Sequence, residues 1–220
     1  MARPYTGNAD APGKGERPGL STFIANAKFI WGFKNLGTFS NRLMRSAPAG
    51  IKEGSADYKK WVSVHATGRA VDLGWSDRAK ALEFIAFIEK YADQLGIEEI
   101  HDYFYAGPAG QWGRGWRCNR NGVAGWKIYD SKDNAGTPGG QWVHIELSPQ
   151  FADNPALVTK AFAETMEKAK SDAKVAAYLK SLAETAKKEA AEEDKKKSKE
   201  QKAKERKNAE EAAKHVKEVK

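Results

Sequence analysis

Two of the four histidines have neighbours that could take part in metal chemistry. His65 lies seven residues before Asp72, and Gly68 and Ala70 keep the backbone between them uncrowded. A neutral imidazole nitrogen and a carboxylate oxygen both bind zinc at about 2.0–2.2 Å, and a catalytic zinc site needs three protein ligands with the fourth position open. His144 could supply the third ligand. Spacing alone, however, favours ordinary buried or surface histidines over a zinc site.

The residues around these candidates resemble a known family. Residues 63–75, SVHATGRAVDLGW, resemble the S-x-H-x-x-G-x-A-x-D block of the zinc D-alanyl-D-alanine carboxypeptidases and dipeptidases, whose relatives include phage endolysin endopeptidases and the hedgehog signalling domain. Residues 141–146, QWVHIE, resemble the family's second block, E-x-x-H, incompletely. The resemblance covers roughly residues 35–150 and implies that His65, Asp72 and His144 bind Zn²⁺. The alternative is a degenerate copy that keeps these residues only as structure.

The second block departs from the family where a general base is implied. The family's base is a Glu three residues before the last His, and this chain has Gln141 there, whose amide cannot take a proton. If residues 141–147 form a strand, its period of two places Trp142, His144 and Glu146 on one face. Glu146 is therefore the substitute candidate for the base. The competing interpretation is a carboxylate that orients the metal ligands, since such partners commonly accompany metal-binding histidines.

Two arginines upstream of the first block are candidates for a second catalytic role. Arg42 and Arg45 resemble in placement the family's arginine that steadies the tetrahedral oxyanion, and their spacing does not choose between them. We take Arg45 as the catalytic candidate. The alternative is that both are surface arginines that contribute only positive charge.

Other residues whose side chains could take part in chemistry are expected to be structural. His101 and Asp102 are adjacent on a predicted strand, so their side chains point to opposite faces and cannot form a proton relay. Trp112, Trp116 and Trp126 lie among glycines and could form an aromatic wall for a glycan or peptide. Aromatic residues near glycine loops nevertheless more often cover a small core.

The helical and strand patterns predict an α+β fold. The most regular helix begins at Ser76 and Asp77 and ends at Gly96, and a second helical pattern covers residues 23–33. Strands are expected over residues 97–105, 126–129 and 141–147, with a glycine-punctuated loop over residues 107–122. The expected architecture is a few helices on a small antiparallel sheet with zinc at the sheet's edge, which the hedgehog/DD-peptidase resemblance also implies.

A long helix is expected to begin at Asn154, because an N-cap residue followed by Pro155 is typical of a helix start. Its apolar stripe shrinks to alanines from Lys187 to Lys214, so that part cannot anchor a core. Glu193 and Lys197 exemplify the helical i,i+4 charge pairs of this segment. The chain is therefore divided into an irregular lead-in (1–19), a zinc peptidase-like domain (20–165) and a charged C-terminal helical tail (166–220).

Composition limits the remaining possibilities. The 220 residues suffice for one core plus an appendage, and the net charge of +8 favours anionic partners. No basic recognition helix or aromatic RNP-like strand is apparent, so nucleic acid is an unlikely partner. The lone Cys118 excludes an internal disulfide. The apolar stretches are shorter than the roughly 20 residues that span a bilayer, and the N-terminus lacks the pattern of a secretory signal.

The resemblance and the charge together give the expected function. The leading hypothesis is a zinc-dependent peptidase of bacterial peptidoglycan, as in a phage endolysin or a virion-associated wall hydrolase. Such a protein would reside in the host cytoplasm before release, or in the virion. The competing hypothesis is a non-catalytic phage structural protein that retains the fold, while its C-terminal helix contacts other virion proteins. Gln141 and the charged tail favour this rival.

Overall fold

The structure is a computed structural model that describes residues 3–10, 13–133 and 138–172, with isolated positions between 180 and 193. Its architecture is α+β, which confirms the predicted class: helices pack on a six-stranded antiparallel sheet. The strands are β1 (Lys34–Gly37), β2 (Ala70–Gly74), β3 (Ile97–Asp102), β4 (Arg114–Arg120), β5 (Val123–Ile128) and β6 (Trp142–Leu147). The helices are α1 (Pro18–Trp31), α2 (Tyr58–Trp61), α3 (Arg78–Lys90), α4 (Ala92–Leu95), α5 (Pro149–Asp153) and α6 (Pro155–Ser171). Short 3₁₀ turns cover Gly7–Ala9 and Val64–Thr67.

The strand order decides where the candidate ligands lie. The strands follow one another as β1-β2-β6-β3-β4-β5, so β2, β6 and β3 are interior strands. Asp72 is on β2 and His144 is on β6. The expectation of a site at the sheet's edge is therefore wrong: the site lies on an open face of the middle strands. The order depends on pairing between strands more than 70 residues apart in the chain, such as Ala70 opposite Glu146, which local patterns do not specify.

One face of the sheet forms the hydrophobic core. Alternate residues of β2, β6 and β3 are fully buried on this face, namely Val71, Leu73, Val143, Ile145 and Ile100. Helices α1, α3 and α6 supply aromatic rings to the same core; the ring centroids of Phe23 and Phe162 are 5.5 Å apart, and those of Phe23 and Phe84 are 6.1 Å apart. Each such side chain stabilises the fold by about 1.5–3 kcal/mol on burial. Because strand side chains alternate, the residues between them point to the opposite face, where the polar groups collect.

Helix α1 begins earlier than the apolar pattern indicates. Its first residue is Pro18, within the segment expected to be an irregular lead-in, and Leu20 is already fully buried. Proline is accommodated at the first helical position because its missing N–H would be unpaired there in any case. The helix ends at Gly32, whose left-handed φ of 76° permits its N–H to donate to Lys28 O.

The prediction of a loop over residues 107–122 is wrong for its second half. Strand β4 occupies this stretch and pairs with both β3 and β5. Trp116 and Cys118 are buried towards the core, as a strand period requires. Asn121 (φ 58°) and Gly122 (φ 94°) form the two-residue connection to β5. Positive φ at both central residues is what a tight hairpin turn demands, so the Asn-Gly pair is the hairpin signal that the glycine-rich context concealed.

Helix α6 extends past the predicted domain limit at residue 165. It begins at Pro155 with Asn154 as the N-cap, as predicted, and its side-chain oxygen accepts from Leu157 N at 3.0 Å. Met166 and Ala169 still pack against the core. Most of the charged C-terminal helix predicted for residues 166–220 lies outside the described residues. No helix in the described part of the chain is both long and apolar enough to cross a membrane.

Candidate metal centre

His65 is presented by the short 3₁₀ turn that precedes β2. Ser63 is its N-cap, and the Ser63 side chain accepts from His65 N at 3.4 Å. The ring is 5% exposed, and its Nδ1 lies 3.1 Å from Thr38 O. A backbone carbonyl can only accept, so Nδ1 carries the proton and Nε2 keeps its lone pair. This contact fixes the tautomer in which His65 can bind a metal through Nε2.

Gly68 is required by the path of the backbone after His65. Its φ of +72° is in the left-handed region, and its N–H donates to His65 O at 3.1 Å. A Cβ at this position would lie 2.0 Å from Gly15 O. No side chain fits there, since the contact is with backbone rather than with a flexible side chain. The glycine of the first sequence block therefore turns the chain between the two candidate ligands.

Strand pairing brings Asp72 and His144 together. Asp72 on β2 is directly opposite His144 on β6, and their side chains share a face. His144 Nδ1 lies 3.0 Å from Asp72 Oδ1 and 3.1 Å from His65 Nε2, while His65 Nε2 lies 3.5 Å from Asp72 Oδ2. The three predicted ligands thus converge on one point.

These distances fit a tetrahedral metal ion. With ligands at about 2.1 Å from the ion, tetrahedral angles separate the donor atoms by roughly 3.4 Å. The two separations that share His144 Nδ1, 3.0 Å to Asp72 Oδ1 and 3.1 Å to His65 Nε2, are close to that value. His65 Nε2 lies 3.5 Å from the other carboxylate oxygen, Asp72 Oδ2. Two imidazoles and one carboxylate are also a donor set that zinc accepts. The three residues could therefore hold a metal ion with one position left for another ligand.

A carboxylate on the far side of His144 completes the arrangement. Glu146 Oε1 lies 3.2 Å from His144 Nε2, and Glu146 is 4% exposed. An ionised carboxylate is an acceptor only, so this contact keeps a proton on Nε2 of His144, and the proton on Nδ1, which faces Asp72 Oδ1, is the one that a metal ion would replace. Carboxylate–histidine–metal chains of this kind orient the ring and raise the basicity of the ligand.

The buried charges of the centre stabilise one another. Burial opposes the charge of Asp72, but hydrogen bonds with His144 and His65 outweigh it and hold the pKa of Asp72 below its usual range. Burial likewise opposes the charge of His144, yet hydrogen bonds and charge attraction from Asp72 and Glu146 raise its pKa to about 10. The metal-free centre is therefore a compact ion-paired cluster, in which a cation takes the place of the proton on His144 when it binds.

The centre opens into a cleft of about 390 Å³. Trp142, Tyr103 and Met44 give the cleft apolar surface, and both predicted arginines, Arg42 and Arg45, line it. The structure therefore brings Arg42 and Arg45 to the same cleft as the ligands, and it does not choose between them. A cleft of this size with a few convergent polar groups is typical of a small-ligand or peptide site.

A second polar cluster in the cleft was not anticipated from the sequence. Glu99 and His101 on β3 and Arg117 on β4 all line it, as does Tyr5 from the N-terminal segment. His101 Nε2 lies 2.9 Å from Glu99 Oε1, and Arg117 donates to the same oxygen at 2.7 Å. Burial works against the charge of Glu99, but His101 and Arg117 outweigh it and lower its pKa. The strand period places Glu99 and His101 on one face of β3, but only the pairing with β6, opposite Glu146 and His144, brings that face to the cleft.

His101 and Asp102 point to opposite faces of β3, which confirms that they form no relay. Asp102 is fully buried and accepts from Arg78 at 2.8 and 2.9 Å. His101 faces the cleft instead, where its ring centroid is 5.4 Å from that of His144. Its Nδ1 is buried without a hydrogen-bond partner among the described residues. His101 therefore belongs to the site by itself, without its neighbour in the chain.

Gln141 and the three tryptophans suggested for an aromatic wall do not line the cleft. Gln141, at the family's base position, is exposed and is not among the residues that line the cleft. Trp116 is part of the core, and Trp112 and Trp126 do not line the cleft either, so the suggested aromatic wall does not form there. The aromatic surface of the cleft comes from Trp142 and Tyr103.

Comparison with known proteins identifies no relative of this chain. No family model, curated protein or solved structure matches the chain. The case for a function therefore rests on the geometry of the residues described above, with His65, Asp72 and His144 as a possible metal-binding triad.

Proposed function

We propose that this protein is a zinc-dependent peptidase that acts on bacterial peptidoglycan. The observation that carries the proposal is the convergence of His65 Nε2, Asp72 and His144 Nδ1 within 3.5 Å of one another. Thr38 O and Glu146 each hold a proton on the histidine nitrogen that points away from the shared position, so His65 Nε2 and, once its proton leaves, His144 Nδ1 can bind an ion there. Zinc held by these ligands would polarise the scissile carbonyl and activate the attacking water. The resemblance of residues 63–75 and 141–146 to the D-alanyl-D-alanine carboxypeptidases supports peptidoglycan as the substrate.

The role of Glu146 is the point on which the mechanism depends. As a general base, it would take a proton from the attacking water and contribute about 10²–10⁴-fold in rate. Both of its oxygens are already in contact with protein groups, Oε1 with His144 Nε2 and Oε2 with Tyr5 Oη. These contacts favour the orienting role that the sequence left open, although Glu146 also lines the cleft.

Arg42 and Arg45 place positive charge at the cleft. Both residues line the cleft and are exposed to solvent. In the proposed reaction, Arg45 stabilises the negative charge that develops on the carbonyl oxygen, and either arginine can hold a substrate carboxylate. The overall charge of +8 favours adsorption to an anionic cell wall. A phage lysis enzyme in the host cytoplasm, or a wall hydrolase carried in the virion, fits these properties.

The position of Gln141 favours a second candidate, a non-catalytic phage structural protein. The residue cannot accept a proton, and it is exposed outside the cleft. In that case the cluster stabilises the fold with or without a metal, and the charged C-terminal segment binds other virion proteins.

Wall cleavage and zinc content, measured on the same variants, separate these possibilities. We expect the wild-type protein to clear a suspension of purified cell walls and to lose this activity with a chelator. If Glu146 is the base, Glu146→Gln abolishes cleavage and leaves zinc affinity unchanged. If Glu146 orients His144, Glu146→Gln weakens zinc binding together with cleavage. A zinc-loaded wild-type protein that cleaves no wall type would contradict the peptidase and favour the scaffold.

A further inference from the structure

The N-terminal segment of residues 3–10 forms part of the cleft wall. Arg3 Nε lies 3.3 Å from Asp93 Oδ1. Thr6 donates from Oγ1 to Glu98 Oε1 at 2.7 Å and from its backbone N to Glu98 Oε2 at 3.2 Å. The buried Arg69 donates to Gly7 O and, at 3.0 Å, to the same Glu98. The segment is thus held across the sheet by several charged contacts, which places Tyr5 between them in a fixed position.

Tyr5 connects the two carboxylates of the cleft. Its hydroxyl lies 2.7 Å from Glu99 Oε2 and 3.0 Å from Glu146 Oε2. Burial, together with the negative charges of Glu146 and Glu99, raises the pKa of Tyr5 well above its ordinary range, so the hydroxyl remains a donor. The Tyr5 ring also lies 4.2 Å from the guanidinium of Arg117, which holds the ring in place independently of the hydroxyl.

These contacts form a chain that ends at the metal ligand. Tyr5 Oη contacts Oε2 of Glu146, Oε1 of Glu146 contacts Nε2 of His144, and Nδ1 of His144 faces the other two ligands. We propose that Tyr5 is a positioning residue that fixes the carboxylate of Glu146 against His144 and thereby sets the metal affinity of the centre. This inference rests on the proposed metal site and adds the N-terminal segment to it.

The test compares two substitutions in adjacent residues of the same segment. Tyr5→Phe removes the hydroxyl and keeps the ring on Arg117. Thr6→Val is the matched control, because it also removes one hydrogen bond to a buried carboxylate, that of Glu98, which does not line the cleft. The backbone N–H of Thr6 and the side chain of Arg69 still hold the segment in this variant. Zinc affinity is measured by competition with a chromophoric chelator. We expect Tyr5→Phe to weaken zinc binding roughly tenfold, the lower end of the effect of outer-sphere partners, and Thr6→Val to leave it unchanged.

A double-mutant cycle shows whether Tyr5 acts through Glu146. In a Glu146→Ala background, Tyr5→Phe should have almost no further effect on zinc affinity. A second readout does not need that variant: the Nε2–H proton of His144, followed by nitrogen-15 NMR of the zinc-loaded protein, should exchange faster with solvent in Tyr5→Phe than in Thr6→Val.

The results of these experiments distinguish a failure of the role of Tyr5 from a failure of the metal site itself. Wild-type protein that binds no zinc would defeat the proposed function. Wild-type protein that binds zinc, with Tyr5→Phe binding equally well, would overturn the role of Tyr5 alone. A loss in Tyr5→Phe that persists undiminished in the Glu146→Ala background would also overturn it, because the effect would then not pass through Glu146.

Discussion

His144 Nδ1 and Asp72 Oδ1 are 3.0 Å apart, on residues directly opposite each other on neighbouring interior strands. They are 72 residues apart in the chain, and the antiparallel register of β2 and β6 places them side by side. His65 reaches the same point from the turn before β2. Two of the three candidate ligands therefore lie on interior strands of the sheet, which suits a site that must hold fixed geometry.

Zinc binding should release a proton and strengthen with pH. The pKa of His144 is about 10 in the metal-free centre, so His144 carries an extra proton below that pH. The ion binds only the neutral ring, and the proton must leave. The apparent affinity should then rise about tenfold per pH unit from pH 6.5 to 9 and level off as the pH passes 10. Calorimetry in buffers of different ionisation enthalpy checks the proton release, and an affinity that is flat over this range would contradict it.

Gly68→Ala should destabilise the fold more than Gly32→Ala does. Both glycines have similar positive φ values, 72° and 76°. A Cβ at Gly68 meets Gly15 O at 2.0 Å, whereas a Cβ at Gly32 meets nothing within 4 Å. The matched control should cost about 1 kcal/mol of backbone strain, and Gly68→Ala several kcal/mol, because its clash adds to the strain. Urea unfolding measures both, and equal losses would show that the chain near Gly15 can move aside.

Removal of residues 187–220 should leave the domain folded. Helix α6 packs on the core up to Ala169, and Lys90 is paired with Asp172, all of which the truncation keeps. The truncation removes Glu189, whose Oε2 is 4.0 Å from Arg78 Nε, a contact worth less than about 1 kcal/mol at a partly exposed position. The melting temperature should fall by only a few degrees. A truncation that begins at Ala161 and so removes the buried Phe162 is the control, and it should abolish the cooperative melt.

Gln141→Glu should change neither zinc affinity nor wall cleavage. The residue is exposed and lies outside the cleft, so a carboxylate there does not reach the reacting groups. Turbidity assays on purified walls compare the variant with wild type. A gain in cleavage would show that the start of β6 moves into the cleft and that the family's base position is functional.

The candidate triad of His65, Asp72 and His144 could be predicted because two short blocks resemble a zinc peptidase family, whereas the spacing alone favoured ordinary histidines. The strand period also placed Trp142, His144 and Glu146 on one face, and all three line the cleft. Glu99, His101 and Arg117 were missed because their membership depends on which strands are neighbours, which residue spacing along one strand does not reveal. Tyr5 was missed for a different reason: it lies in a segment without periodicity, which is held by contacts with residues distant in the chain, such as Glu98 and Arg69.

The difference between local patterns and pairing between strands also explains which elements of the fold could be predicted. Strand β6 follows a strong periodic pattern and is near its predicted limits. The helix predicted from Ser76 and Asp77 to Gly96 also follows such a pattern, but the structure divides it at Tyr91 into α3 and α4. Strand β4 contains Gly115 and follows Gly113, so its composition resembles a loop. It is a strand because β3 and β5 pair with it on both sides, and this tertiary pairing outweighs its weak local preference.

The central claim is that His65, Asp72 and His144 bind one metal ion. Elemental analysis of the protein refolded with zinc and freed of excess metal tests it directly, with His65→Ala, Asp72→Ala and His144→Ala as the ligand variants and His215→Ala, a histidine outside the two sequence blocks, as the control. We expect about one zinc ion per chain in wild type and in His215→Ala, and close to none in the three ligand variants. A wild-type protein without zinc, or ligand variants that keep the wild-type content, would contradict the account.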